Sequence, residues 1–479
     1  MSGMSMRRAA LLQLASKYSG VVVQLALTVV LSRLLTPEEF GLVATVAVFS
    51  NFFSVLSDLG ISVGIVQYRG LSDDDIAGLL DFSLLLGLAL SLLFCAISPA
   101  IASLYGASEL TGLCAFSSIS ILFATANAVP NGVLLREKKF KEVSLRYLVV
   151  SLVSCVLSCL LALFGAGAYA LAANTVLSSI GTFVWNVLAT GLRPRKASIS
   201  APLRKIGRYS GFQALGTFVN YFSRNMDNLI MGFVFGPVSL GMYDKAYKLT
   251  TYPNTYLTGI VSSVLQPFLS EHQDEPDVIW ERFIALTKLC FGLGLFIVSV
   301  FIAAAPEVIE IMYGPQWSAS APMLRALGLS VAFQMCTSMT GAVFQSLGAT
   351  DWAFRSTVVN TAVAVFGMVL GAMSGNVLVL CALVSLAYCL NPIATYWCLV
   401  RKSFGRPMSD FLRQFGALAI DGVAILLVAA FLALTSVGAS LVSLGVKLVV
   451  LLGVFFAALR LSGQISILSP ILPARMKGL

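Results

Sequence analysis

Between Tyr209 and Tyr256 an otherwise hydrocarbon-like chain carries Arg224, Asp227, Lys245 and Lys248, with Asn220, Asn225 and Asn228 beside them. Gln213, Thr217, Asn220, Arg224, Asp227 and Asn228 fall at steps of three or four, so they share one helical face. A charge at the centre of a membrane helix costs roughly 2.5–3.5 kcal/mol on insertion scales, so a chain that keeps one there needs a reason. Arg33, Arg325, Lys17 and Lys447 are further cations in apolar surroundings. Cations outnumber carboxylates in this set, and the chemistry they offer is the holding of an anion. Tyr243, Tyr247, Tyr252 and Tyr256, with Thr250, Thr251, Asn254 and Thr255, add hydroxyls and amides around Pro253, which permits a bend. Hydroxylated aromatics suit sugar faces and the rims of wet cavities.

A structural reading stands beside this one. Arg224 and Asp227 can pair on their own helix. Lys245 follows Asp244 and can reach for the interface, as can Lys17, Arg33 and Arg325. Asp58 and Asp421 have no evident partner in the sequence. A metal or redox centre is not expected. His272 is the single histidine, and the nine cysteines form no CxxC and fall mostly in apolar runs as small buried hydrophobes. No cofactor is expected.

The elements that position these residues follow from composition. The chain has 479 residues, 58% of them hydrophobic and 11% charged. Soluble domains carry roughly a quarter charged residues, so this is an integral membrane protein. Apolar runs long enough to span a bilayer succeed one another at 10–35, 40–66, 79–104, 110–134, 143–164, 168–191, 207–235, 241–270, 281–304, 319–347, 353–374, 376–400, 415–437 and 440–460, about fourteen in all. Arg7 and Arg8 precede an uncleaved first span rather than a signal peptide. The net charge of +9 does not indicate nucleic acid, because the cations sit in short loops. One set of loops holds Arg136, Lys138, Lys139, Lys141 and Arg146, then Arg193 to Arg208, then Arg401, Lys402, Arg406 and Arg413. The alternate breaks are nearly free of Lys and Arg. The basic side faces the cytoplasm, and both termini lie there. Arg224, some sixteen residues past Arg208, is then about 24 Å up a helix and beyond the midplane.

A repeat organises the chain. Tyr18-Ser19-Gly20 and Ser32-Arg33 recur at the same spacing as Tyr209-Ser210-Gly211 and Ser223-Arg224. Pro37 and Gly41 recur as Pro237 and Gly241, after a Gly236-Pro237 break. The copies open spans one and seven, so both halves cross in the same sense. The expected fold is all-α: two six-helix bundles related by a pseudo-two-fold along the membrane normal, at 1–200 and 201–402, with two appended helices and a tail at 403–479. Span one has its own polar stripe, Gln13, Lys17, Gly20, Gln24 and Thr28, and two striped helices suggest a cleft between the halves.

The run Leu31-Ser32-Arg33-Leu34-Leu35-Thr36-Pro37-Glu38-Glu39-Phe40-Gly41 carries a family resemblance. So do Asp58-Leu59-Gly60, Gly236-Pro237, Gly241-Met242-Tyr243 and Tyr313-Gly314 with Trp317. The chain resembles Wzx-type polysaccharide flippases of the multidrug/oligosaccharidyl-lipid/polysaccharide exporter superfamily. The resemblance implies a transporter in the bacterial inner membrane that passes undecaprenyl-diphosphate-linked oligosaccharide repeat units to the outer leaflet by alternating access. It implies that Arg224, Lys245 and Lys248, with Arg33, Lys17 and Arg325, line a cationic cavity. Gln213, Thr217, Asn220, Asp227, Asn228, Gln24, Tyr252 and Tyr256 would form its polar lining. The partners implied are the lipid-linked oligosaccharide, membrane lipids, and a polymerase with chain-length machinery, around a monomer. Proton or sodium coupling is proposed in such transporters, but no residue here identifies the ion. Alternatives are a lipid-linked peptidoglycan precursor flippase or a drug exporter. A polymerase or ligase would need catalytic groups on a sizeable outward loop, and the longest, about 305–318, offers only Glu307 and Glu310 with Tyr313 and Trp317. A reporter enzyme fused to the C-terminus should read out as cytoplasmic, and a periplasmic signal would overturn this topology.

Overall fold

The computed structural model describes residues 6–58, 60–68, 70–193, 200–435 and 440–468. The side chains of 6–18, 55–58, 200–224, 260–264, 266–268, 270, 466 and 468 lie outside the description. Among the described residues every regular element is helical. In order they are α1 (Met6–Leu34), α2 (Pro37–Asp58), α3 (Ile61–Gln67), α4 (Asp73–Tyr105), α5 (Glu109–Ala126), α6 (Ala128–Arg136), α7 (Phe140–Leu163), α8 (Ala168–Thr190) and α9 (Ser200–Glu271). Then come α10 (Pro276–Tyr313), α11 (Ser320–Gly328), α12 (Val331–Thr337), α13 (Thr340–Ser346), α14 (Thr350–Met373), α15 (Val377–Tyr396), α16 (Met408–Arg413), α17 (Gly416–Leu432) and α18 (Ser440–Leu461). Among the described residues eight helices are long and apolar enough to cross a membrane, or nine if α11 with α12–α13, bent by 46°, is counted as one span. Ser19–Leu34 and Gly416–Leu432 are shorter apolar helices. Leu92, Phe366, Leu427 and Phe431 are apolar yet exposed, the pattern of a surface that meets lipid.

The chain forms two compact units, Met1–Gly241 and Met242–Leu479. In the first, helix ends are set by short-range chemistry. Ser72 and Asp75 form a reciprocal capping box at the start of α4, and Thr36 and Glu39 bond in the same way before α2. The core packs Phe53, Phe94, Cys114 and Ile121 between α2, α4 and α5, and a second cluster joins Ile61, Ile65, Leu79 and Val129. In the second unit α10 is the central post. It packs against α12, α17 and α18, with Leu289, Leu418, Ile425 and Phe455 at its heart.

The expected break in α9 falls at Gly236, whose φ of 79° is open to glycine at little steric expense. Pro253 does not interrupt the helix beyond it. The expected outward break at 305–318 is shorter than the sequence suggests. α10 turns at Ala304 and continues to Tyr313, because Pro306 sits in the first turn of the new segment, where its missing N–H forfeits no helical bond.

The repeat also has a physical expression. A Cβ on Gly41 would overlap the carbonyl of Pro237, and one on Gly241 would overlap the carbonyl of Pro37. Each copy's glycine therefore lies under the other copy's proline, a reciprocal crossing at backbone contact. Later elements correspond as well. α7 and α14 are both 24 residues long, and fourteen residues separate Gly132 from Arg146 just as they separate Gly341 from Arg355. Replacing Gly41 or Gly241 with Val should destabilise the protein by about 1–3 kcal/mol or more, read as a lower melting temperature in detergent. Gly453→Ala, with open space around it, should leave the melting temperature unchanged.

Candidate functional site

The second unit builds its cationic site from the helix that follows Gly236. Asp244 and Lys248 lie one turn apart and form an ion pair at 2.7 Å, with the lysine half-exposed. Lys245 points elsewhere and is fully buried. Its ammonium lies 4.8 Å from the ring centre of Tyr313 and 5.1 Å from that of Trp317. The loop after α10 creates this cage. Gly314, with φ 103°, turns the chain into a short Pro315–Trp317 turn that brings the Trp317 ring to 6.1 Å from Tyr313. Both rings are fully buried, and an ammonium over aromatic faces in a desolvated site gains about 2 kcal/mol or more. Ser320 donates to the Met242 carbonyl and ties the start of α11 to the helix that carries Lys245.

The tyrosines form two stacked pairs along the same helix, Tyr243 with Tyr247 at 5.7 Å and Tyr252 with Tyr256 at 5.8 Å. Thr250 and Thr251 both donate to the Tyr247 carbonyl, which satisfies their hydroxyls within the helix. The Oδ1 atoms of Asn228 and Asn254 are buried without a hydrogen-bond donor, and so is the Tyr313 hydroxyl. Asp227 is fully buried, with the backbone N–H of Asn228 donating to its Oδ1 at 2.9 Å. Arg325 donates from Nε to the Ile302 carbonyl at 3.2 Å, an anchor between α11 and α10. The structure therefore brings Lys245 together with Tyr313 and Trp317, and Lys248 with Asp244. Arg224, Lys17, Gln213, Thr217 and Asn220 lie outside the described side chains.

In the first unit Arg33 and Gln24 are exposed. The stripe expected on span one divides: Gly20 packs beneath the Tyr147 ring of α7, so that part of it faces protein. A polar centre not singled out from the sequence lies between α6, α7 and α8. Arg146 donates to Asn131 Oδ1 at 3.1 Å and Asn186 Oδ1 at 2.7 Å, and Asn186 donates in turn to Asn127 Oδ1. Two amides hold the guanidinium and a third holds one of them, with no carboxylate among the described residues. Arg146 is therefore part of a helix knot rather than of a loop.

Lys447 has a different task from an interfacial cation. It donates to Glu307 and to the Ala303 carbonyl, while Ser443 donates to the same carboxylate and Ser440 to Glu310. Lys447 and Glu307 are both buried. This polar zipper fastens α18 to α10. Asp421 likewise finds a partner the sequence did not reveal, accepting from Ser462 at 2.7 Å.

A family model described as polysaccharide biosynthesis protein matches residues 30–322. The chain is 24% identical over 339 residues to the teichuronic acid biosynthesis protein TuaB of Bacillus subtilis, covering 70% of this chain and 69% of TuaB. It is 20% identical over 394 residues to the lipopolysaccharide biosynthesis protein WzxC of Escherichia coli, covering 80% and 78%. Its fold resembles a solved structure of the lipid II flippase MurJ in an inward closed conformation, with a TM-score of 0.73, 15% identity, and coverage of 94% of this chain and 99% of that one.

Replacing Lys447 with Met leaves Glu307 buried without its counter-charge. This should destabilise the protein by about 3–5 kcal/mol, and adding Glu307→Gln should restore most of the loss. Thermal unfolding of the three proteins in one detergent measures both effects.

Proposed function

The chain belongs to the family of polysaccharide biosynthesis proteins, and we propose that within it this protein flips undecaprenyl-diphosphate-linked oligosaccharide units from the inner to the outer leaflet. The observation that carries this reading is the family match itself, which runs through both copies of the Pro-Gly motif. Fourteen spans, with both termini in the cytoplasm of a bacterium, supply the frame. Spans one to six and seven to twelve form two lobes, 1–200 and 201–402, related by a pseudo-two-fold along the membrane normal, with 403–479 appended. The reciprocal Gly41 and Gly241 crossing supports such a relation.

In this mechanism Arg224, with Lys248, Lys17, Arg33 and Arg325, meets the diphosphate as it crosses, and Tyr252 and Tyr256 face the sugars. Lys245 stands one residue from Asp244 on the same helix, buried in its aromatic cage. A diphosphate carries about two negative charges, and with the inside of the cell negative, moving each outward releases about 2.3 kcal/mol per 100 mV. The prenyl tail stays in lipid while the head crosses, and the two lobes open to one side and then the other. A polymerase on the outer face consumes the flipped units. The lack of a long outward loop favours a transporter over an enzyme.

Arg224→Ala should lower surface polysaccharide by roughly tenfold or more, the worth of one charged hydrogen bond, at normal protein level. Lipid-linked oligosaccharide should accumulate on the inner leaflet. Wild-type polymer output from this variant would overturn the assignment of Arg224.

A further inference from the structure

Arg355 occupies in the second unit the place that Arg146 occupies in the first, fourteen residues beyond the corresponding glycine. The amides that tie Arg146 are absent there. By the same register, Thr340 stands where Asn131 would be and Thr395 where Asn186 would be. Thr395 instead accepts from Asn360 at 2.9 Å. Released from an internal knot, Arg355 turns outward and lies 4.6 Å from the ring centre of Trp352. Lys402 joins it from the π-helical turn Trp397–Ser403, 5.6 Å from Trp352 and 5.0 Å from Trp397. The two indoles meet edge to face at 6.3 Å. Among the described residues neither cation has a carboxylate within ion-pair distance.

Arg355 and the two indoles border a cavity of about 490 Å3 between α14 and α15, and Lys402 lies against those indoles at its edge. Its walls run inward through Val359, Val363 and Leu390, and Val359 is half-exposed, so the cavity opens sideways. The Oδ1 of Asn391, another lining residue, is buried without a donor. Trp, Arg and Lys at the end of a membrane helix mark the headgroup level. An apolar groove opening there beneath two uncompensated cations matches an amphiphile with a hydrocarbon chain and an anionic head. Interfacial cations that merely snorkel do not require a cavity below them. A helix that turns π-helical at this level is also the kind of local irregularity found at binding sites.

We propose that this groove is a binding site for an anionic glycerophospholipid of the bilayer. One acyl chain lies between α14 and α15, and the phosphate meets Arg355 and Lys402 against the indole pair. The proposal is independent of the transport reading, because it needs only the groove and its charges. The full-length protein, stripped in detergent and re-supplied with phosphatidylglycerol or with phosphatidylcholine of the same chains, tests it by native mass spectrometry. One phosphatidylglycerol should stay bound at lipid levels that leave phosphatidylcholine unbound. Each basic side chain near an anionic lipid is worth about a fivefold change in affinity, so R355Q with K402Q should weaken retention by about 25-fold. Val363→Trp, which fills the groove and spares both cations, should also release the lipid. Equal retention of the two phospholipids, unchanged retention in both variants, or displacement by an equimolar polyprenyl phosphate would overturn the proposal.

Discussion

A charged side chain held among hydrocarbon must find its compensation inside the protein, because no water is there to supply it. That requirement explains more of this molecule than any single motif. Lys245 is compensated by two aromatic faces, Lys447 by a carboxylate and a carbonyl, Lys248 by the aspartate one turn before it, and Arg146 by amides. The solutions differ in what they leave available. An ammonium in an aromatic cage is shut away from solvent and gives up its mobility. A lysine paired with a carboxylate presents almost no net field and acts as a fastener. A half-exposed lysine beside an aspartate is the kind of cation that can change partners. The cations of a membrane transporter are thus not one population, and their role follows from what surrounds each.

The same requirement shapes the helices. Serines and threonines along α4, α5 and α9 return their hydroxyls to carbonyls three or four residues back, as Ser98, Ser120 and Thr250 do. They are polar in composition and apolar in effect. Where the chain departs from helix it does so at residues that make the departure cheap, such as Gly236 and Gly314. The turn at Gly314 shows fold and site to be one problem. The residue that releases the chain from α10 also sets Trp317 against Lys245.

Much of the architecture was legible because the bilayer writes a coarse code. Long apolar runs, basic loops and the Gly236-Pro237 break were read from local composition, and the break lies where the sequence placed it. The doubled Pro-Gly spacing was legible as a pattern, but not the reason for it, since backbone contact between Gly41 and Pro237 joins segments far apart in the chain. The site was less legible. Lys245 and Lys248 look alike in sequence and are opposites in burial, a difference set by residues nearly seventy positions away. By sequence Glu307 and Glu310 fall in an outward break, whereas Pro306 begins a helical segment that carries both. The Asn131, Arg146 and Asn186 knot had no signal of its own, since isolated amides at helix ends are common and only their convergence gives them meaning.

The fastening of α18 to α10 also bears on how the protein is made. Glu307 is synthesised 140 residues before Lys447. At about 5–20 residues per second, the nascent chain waits roughly 7–30 s between the two. During that interval the helix carrying Glu307 has been delivered to the membrane and its counter-charge does not yet exist. Early helices of this chain therefore cannot settle to their final packing one by one. The packing of α10 remains provisional until α18 has emerged, and a ribosome that stops short leaves a product marked by a carboxylate with nothing to answer it.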